Sequence, residues 1–312
     1  MNCIVFTEAG KKYGRGHLMR CTAIAQGLAE HHISCFFVVR GAQDTGLSDF
    51  SCCSEEWLNT EIIEKYAHPE SIAVVDSYYT SAELCTWIYT HFKTVIFMDD
   101  YNRISYPGGY VVNGVITADS ISYPHNRDIT YLLGPRFQAL RKTFWHIPKY
   151  EVRERISNIL LTFGGSDPRN ATPHYLSEVA AAYPDAYKYV VIGSDFTHTQ
   201  DISEAGDTQT HLVYSPTAKE MKALMTKSDL AVSAGGQTIC ELARIGVPTV
   251  GIETAPNQRH ILQGWRRAGF LCTEKDLGHT SPLLRREKSR AGRGLIDGRG
   301  VKRVVSKIQE NI

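Results

Sequence analysis

CIVFTEAGKKYGRGHLMR, residues 3–20, changes character halfway along its length. Cys3-Ile4-Val5-Phe6 is a short apolar run of strand formers, whereas Leu18, Ile24, Ala25 and Leu28 recur at helical spacing through Glu30. Gly14 and Gly16 therefore lie in a strand-to-helix turn, with His17 at its edge. Two residues without Cβ let a ligand approach the backbone closely, and the unpaired amides of a helix start favour an anionic or polar group. Such a turn can also serve connection geometry alone. The third glycine of a dinucleotide fingerprint is missing, and no Gly-Lys-Ser/Thr follows, which argues against a nicotinamide enzyme and against a P-loop ATPase.

The same strand-turn-helix rhythm runs outward from this stretch. In the first half, strands are expected near 2–7, 33–39, 71–76 and 94–98 with helices at 17–30, 55–66 and 81–91; shorter strands follow near 110–113 and 129–133. The rhythm breaks at Leu133-Gly134-Pro135-Arg136 and the aromatic segment ending at Pro148, then resumes with strands near 157–163, 187–192, 210–214, 229–232 and 247–252. This predicts an α/β chain of two Rossmann-like parallel-sheet domains, 1–145 and 146–312, facing across a cleft.

Composition narrows the partners. The 312 residues are 43% hydrophobic and 21% charged, with 34 Lys plus Arg against 33 Asp plus Glu. A net charge of +1 offers no global field for nucleic acid or an anionic membrane. No run approaches the roughly 20 apolar residues of a membrane span, and the start reads as cytoplasmic, without a leader. The eight cysteines form no CxxC pair and the histidines no HExxH, so reduced thiols and no metal are expected.

Parallel sheets bind ligands beyond the carboxyl ends of their strands, which directs attention to the turns there. Gly164-Gly165-Ser166 ends the apolar run Ile159 to Phe163 and offers amides and a hydroxyl to a phosphate. Asp167-Pro168 after it reads equally as an ordinary helix cap. Ser233-Ala234-Gly235-Gly236-Gln237-Thr238 repeats the pattern, with Glu241 on the first helical turn, placed to accept a ribose diol or to complete a capping box. Asp99-Asp100 is an acidic pair whose members point in different directions, suited to loop capping or to metal or acid/base work. The basic tail, Arg285, Arg286, Lys288, Arg290, Arg293, Arg299 and Arg303, reads as solvated surface, or as a patch able to meet a diphosphate or a partner protein. Trp57, Trp87, Trp145 and Trp265 are assigned to core or domain contacts.

AVSAGGQTICELARIGVPTV (231–250) followed by APNQRHILQGWRRAGF (255–270) resembles the nucleotide-binding half of GT-B enzymes related to the peptidoglycan N-acetylglucosaminyltransferase. YGRGHLMRC (13–21), VVDSYY (74–79), MDD (98–100), LLGPRFQALRKTF (132–144), FGGSDPRN (163–170), NQR (257–259) and IDGRGVKRVV (296–305) resemble, in order, the UDP-sugar hydrolases of pseudaminic acid biosynthesis. Those enzymes cut UDP from UDP-2,4-diacetamido-2,4,6-trideoxy-β-L-altropyranose. The resemblance implies an inverting hydrolase with a UDP-sugar substrate and no cofactor. It implies His17 as the base that activates water, Tyr78 near the sugar, and Gly14 and Gly16 beside them. It further implies that Gly164, Gly165, Ser166, Gly235, Gly236, Gln237, Thr238 and Glu241 hold UDP, and that Asn257 and Gln258 reach the sugar or diphosphate. Thr7-Glu8-Ala9-Gly10 stands where the family has Arg-Ala-Asp-Ala-Ser, and Ser77 stands where it has His, so another diacetamido or amino sugar is the expected variation. A GT-B glycosyltransferase and a silent nucleotide-sugar-binding protein are the alternatives.

Overall fold

The computed structural model describes residues 1–10, 12–41 and 45–310. They form two compact units, one of residues 1–142 with 299–312, the other of residues 143–298.

The first unit is built on seven parallel strands: β1 (Asn2–Glu8), β2 (Ser34–Arg40), β3 (Ser51–Ser54), β4 (Ile72–Val75), β5 (Thr94–Met98), β6 (Gly109–Asn113) and β7 (Ile129–Leu133). Their spatial order is β3-β2-β1-β4-β5-β6-β7. Helices α1 (Gly16–Ala29), α2 (Thr60–Glu64) and α3 (Ala82–His91) connect them. Every residue of β4 and β5 is buried, which is why these strands read as unbroken apolar runs rather than alternating ones. The chain winds outward from β1 through β2 in one direction and through β4 in the other. A crevice is therefore set between the carboxyl ends of β1 and β4, the switch point of the sheet.

The second unit repeats the plan with α4 (Ala171–Ala182), α5 (Thr199–Ala205), α6 (Ala218–Lys227), α7 (Thr238–Ile245), α8 (Gln258–Arg267) and α9 (Pro282–Leu295) around six strands. These strands are β8 (Asn158–Thr162), β9 (Tyr187–Ile192), β10 (Thr210–Tyr214), β11 (Leu230–Ala234), β12 (Thr249–Ile252) and β13 (Leu271–Cys272), in the order β10-β9-β8-β11-β12-β13. Its switch point falls between β8 and β11, the two strands followed by paired glycines. Its core holds Ile159, Leu161, Leu176, Val190, Val232 and Val250, all fully buried.

The chain's last helix, α10 (Gly300–Gln309), belongs to the first unit, although the sequence reading kept all of 146–312 together. Val301, Val304, Val305 and Ile308 make an apolar stripe at helical spacing. That stripe packs on α1 at Gly27, where a Cβ would lie 2.3 Å from the Val301 side chain. The Tyr110 hydroxyl donates to the Lys307 carbonyl at 2.9 Å and fixes the far end. Apolar burial of this kind contributes about 1.5–3 kcal/mol per side chain.

No described helix is long and apolar enough to cross a membrane. None of the eight cysteines is in a disulfide among the described residues. Burial pushes the Cys85 thiol up to about 11 and the Cys272 thiol up to about 12, so both stay protonated at neutral pH.

Candidate active site

At the β1/β4 switch point the first unit assembles a charged cluster from three strand ends. His17 is the second residue of α1, Asp76 follows β4, and Asp100 follows β5. The His17 Nδ1 lies 2.7 Å from Asp76 Oδ1. Arg20, one turn along α1, donates from Nε to Asp76 Oδ2 at 2.6 Å and from Nη2 to Asp76 Oδ1 at 2.7 Å, while its Nη1 reaches Asp100 Oδ1 at 2.5 Å. The Tyr78 hydroxyl donates to the other Asp100 oxygen. The Tyr78 ring stands edge-on to the imidazole, with centroids 4.5 Å apart.

Asp76 is 1% exposed, and burial by itself raises a carboxyl. The Arg20 guanidinium and then His17 outweigh that effect and hold Asp76 well below the usual carboxylate range. An ionised carboxylate only accepts hydrogen bonds, so the 2.7 Å contact places a proton on His17 Nδ1, and in the neutral imidazole Nε2 is then the acceptor. Burial lowers Arg20, but Asp100 and Asp76 together raise it above its ordinary value. Burial and then the Asp100 charge push the Tyr78 phenol upward, so Tyr78 remains a neutral hydrogen-bond donor.

The loop carrying Tyr78 is fixed from several sides. Glu8, fully buried at the end of β1, accepts from the Tyr78 amide at 3.2 Å and from Arg40 at 3.3 Å. The Ser77 hydroxyl accepts from the Tyr79 amide at 2.9 Å, and Arg103 donates to the Ser77 and Thr80 carbonyls. Thus Glu8 and Ser77, which lie within the two departures from the resembled pattern, both brace the turn that presents Tyr78. The start of α1 carries no side-chain cap bond and no acidic residue in its first turn, and a Cβ on Gly14 would project into open space. Gly16 is exposed as the first residue of α1.

In the second unit β8, β11 and β12 are neighbours, so the turns at their carboxyl ends lie side by side. Gly164, at φ +83°, Gly165 and Gly236 have open space where a Cβ would stand, so no described residue blocks a ligand from their backbone. Gly193, after β9, supports the first of these turns from behind. A Cβ there would come within 2.3 Å of the Gly165 carbonyl oxygen, which also accepts from the Asp195 amide at 3.0 Å. Asp167 serves as the helix cap, its carboxylate accepting from the Ala171 amide at 3.0 Å and the Thr172 amide at 2.8 Å. With those α4 amides taken, the accessible part of this turn is Gly164, with Gly165 and Ser166 half-buried beside it.

Glu241 is 7% exposed on the first turn of α7, whose N-cap Gln237 makes no side-chain cap bond. Thr238 opens that helix. Gln258 has a structural role. Its Oε1 accepts from the Gly235 amide at 3.2 Å and the Thr254 amide at 2.9 Å, tying the second glycine turn to the turn after β12. Gly235 is glycine because a Cβ would meet the Gln258 Cβ at 2.8 Å. The Gln258 oxygen is therefore engaged and its amide nitrogen is the polar atom left outside these bonds, while Asn257 is exposed beside it at the start of α8.

Sequence reasoning gives Arg20 and Glu8 no functional role, takes Asp76 only within the VVDSYY motif, and leaves Asp99-Asp100 between loop capping and acid/base work. Asp99 and Asp100 do point apart. Asp99 accepts from the Asn102 amide and the Tyr106 and Tyr123 hydroxyls and so anchors its loop, whereas Asp100 joins the cluster. Within the basic tail Arg285 is not solvated: it is 1% exposed and donates to the Glu154 carbonyl at 2.9 Å.

Residues 159–262 match the glycosyltransferase family 28 C-terminal domain. The chain is 24% identical over 272 residues to an uncharacterised protein of Methanocaldococcus jannaschii, covering 80% of this chain but 55% of that protein, about half its length. It is also 24% identical to SpsG of Bacillus subtilis, a spore coat polysaccharide biosynthesis protein, across 99% of this chain and 98% of that one. Among solved structures, MurG of Acinetobacter baumannii superposes with a TM-score of 0.63 at 12% identity, covering 99% of this chain and all of the other. The MnaA–UDP co-structure from S. aureus also gives 0.63, at 10% identity, over 99% and 96% of the two chains. The chain has the two-domain α/β fold of GT-B enzymes, and the UDP in that second structure shows that a protein of this fold takes a uridine nucleotide.

Proposed function

We propose that this chain is an inverting hydrolase of a UDP-linked diacetamido-trideoxy sugar, releasing UDP and free sugar for nonulosonic acid biosynthesis of the pseudaminic type. The observation that carries the proposal is the 2.7 Å contact between His17 Nδ1 and the buried, ionised Asp76, which leaves Nε2 open as a base. In this reading the second unit holds UDP. The glycine loops at Gly164–Ser166 and Gly235–Thr238 take the phosphates, Glu241 takes the ribose diol, and Asn257 and the Gln258 amide nitrogen reach the diphosphate or sugar.

His17 Nε2 takes a proton from water as the oxygen attacks C1 of the sugar. The bond from C1 to the diphosphate oxygen breaks, and its electron pair leaves with UDP. Asp76 stabilises the imidazolium that forms, as an orienting carboxylate does in other His-based sites. Backbone amides of the glycine loops stabilise the charge gathering on the diphosphate. Attack from the face opposite the leaving group inverts the anomeric centre without a covalent intermediate.

The family 28 match favours a second reading, transfer of the sugar from the same UDP site to an acceptor hydroxyl, with His17 deprotonating that hydroxyl instead of water. Incubating the chain and a His17→Ala variant with the UDP-sugar and no acceptor separates the two. The hydrolase reading expects UDP release by the parent and a loss of about 10²- to 10⁴-fold in the variant. No release without an acceptor would leave the transferase.

A further inference from the structure

Apart from the chain's first residue, the exposed large apolar side chains described in the first unit are Tyr78, Tyr79 and Tyr101. All lie on the turns that follow β4 and β5, the turns that also supply Asp76 and Asp100 to the candidate site. Rings left in water beside a reacting centre are a surface for a ligand with apolar parts. Tyr79 is used within the protein: it packs on the Tyr13 ring with centroids 5.6 Å apart and carries the Arg40 guanidinium over its face at 5.2 Å.

Tyr78 and Tyr101 instead continue the imidazole outward. The Tyr78 ring stands edge-on to His17, and Tyr101 leans against Tyr78 with centroids 5.5 Å apart and planes at 49°. Because the Tyr78 hydroxyl gives its proton to Asp100, what Tyr78 offers a ligand is chiefly its ring. Tyr101 is 53% exposed. The backbone beneath both rings is fixed. Asp99 accepts from the Asn102 amide at 2.6 Å and closes the turn around Tyr101, with Asn102 at φ +56° in the left-handed region that asparagine tolerates. Arg103 ties this turn to the one carrying Tyr78, donating from Nη1 to the Thr80 carbonyl at 2.6 Å and from Nη2 to the Thr80 hydroxyl at 2.7 Å. A tyrosine held in this way loses little freedom when a ligand covers it, so contact converts to affinity at low ordering cost.

We infer that Tyr101, with Tyr78, forms a wall that recognises the apolar parts of the sugar, which makes Tyr101 a specificity-determining residue of the site. The inference rests on the reading of His17 as the base at C1. With Nε2 in hydrogen-bond reach of the water that attacks C1, the sugar stands one water's breadth from the imidazole, and its substituents extend over the rings beside it. The slightly positive C–H hydrogens of a pyranose and of methyl groups meet the negative face of an aromatic ring, and the contact removes apolar surface of both from water. A diacetamido-trideoxy sugar carries a methyl group on each acetamido arm and another at C6, so it offers more of this surface than a fully hydroxylated hexose.

Calorimetry on a His17→Ala background, which slows turnover, compares the tyrosine with Tyr101→Ala and Tyr101→Phe for two probes, the UDP-linked diacetamido-trideoxy sugar and UDP. Unchanged circular dichroism and Tm establish that the variants fold. Tyr101→Ala is expected to weaken the UDP-sugar by about tenfold and to leave UDP within about twofold, whereas Tyr101→Phe, which keeps the ring, binds both as the tyrosine does. Failure of the UDP-sugar to bind, equal UDP-sugar affinity with tyrosine and alanine, or equal weakening of UDP overturns the inference, as does a Tyr101→Phe variant weakened as much as Tyr101→Ala. Turnover is scored apart, with His17 restored. Release of UDP without acceptor decides the hydrolase reading, and the dependence of affinity on Tyr101 stands or falls on its own.

Discussion

Asp76→Asn strikes the candidate site at the group that holds it together. The carboxylate accepts from three N–H groups within 2.7 Å, one on His17 and two on Arg20, and from the Cys21 thiol at 3.6 Å. An asparagine amide keeps one acceptor oxygen. With that oxygen toward Arg20 Nε, the NH₂ faces His17 Nδ1 and Arg20 Nη2, which reverses the imidazole tautomer and leaves Nε2 protonated. With the oxygen toward His17, the NH₂ faces Arg20 Nε. Both orientations set an Arg20 N–H against another donor, and both remove the charge that stabilises the imidazolium. The expected loss in kcat is about 10²- to 10⁴-fold. Arg20, 7% exposed, keeps Asp100 alone as a counter-ion among the described residues, so unfolding free energy should fall by about 3–5 kcal/mol, the usual result of breaking a buried pair from one side. UDP affinity should not change, because every residue assigned to UDP lies in the second unit. Steady-state hydrolysis, urea unfolding and UDP calorimetry on the same preparation read these three quantities. A folded Asp76→Asn protein with parent-like kcat would refute the assignment of His17 as an oriented base.

The remaining predictions address acid stability and two close-packed glycines. Asp76 has a folded pKa below its unfolded value of about 3.9, so the unfolded chain binds more protons between the two. Its stabilising contribution is therefore complete above the ordinary carboxylate range and is lost as pH falls through that range toward the folded value; urea midpoints from pH 6 downward should fall less steeply in Asp76→Asn than in the parent. Gly193→Ala puts a Cβ 2.3 Å from the Gly165 carbonyl and should weaken UDP binding by about tenfold by moving the glycine loop, at an overpacking cost of about 1–3 kcal/mol. Gly27→Ala forces α10 away from α1 through the 2.3 Å contact with Val301; it should lower stability by about 1–3 kcal/mol and leave UDP affinity as it was, measured by urea unfolding and calorimetry.

The legible parts of the molecule were those whose pattern is local. Buried parallel strands announce themselves as apolar runs, and glycine pairs directly after such runs located the turns around Gly164 and Gly235. β3 was not foreseen because Ser51-Cys52-Cys53-Ser54 carries no apolar run and forms at the sheet edge by pairing with β2. The stripe of Val301, Val304, Val305 and Ile308 does show helical spacing, but the groove beside Gly27 that receives it lies far away in sequence. The same applies to the charged cluster. His17 stood out because it sits among glycines. Arg20 and Asp100 lie 80 residues apart and meet because β4 separates β1 from β5 by a single strand, a fact of topology rather than of motif. Gln258, assigned to the ligand, spends its oxygen on the Gly235 and Thr254 amides, a contact that requires β11 and β12 to be neighbours.

In the proposed reaction water attacks C1 while His17 takes its proton, and oxygen-18 water reads that step directly. The UDP-linked diacetamido-trideoxy sugar is incubated with the chain in labelled water, without acceptor, and the products are followed by NMR and mass spectrometry. The prediction is label on C1 of the released sugar, none in UDP, and the anomer opposite to the substrate's appearing first. Label in the UDP phosphate, retention of configuration, or no turnover until an acceptor is added would contradict it.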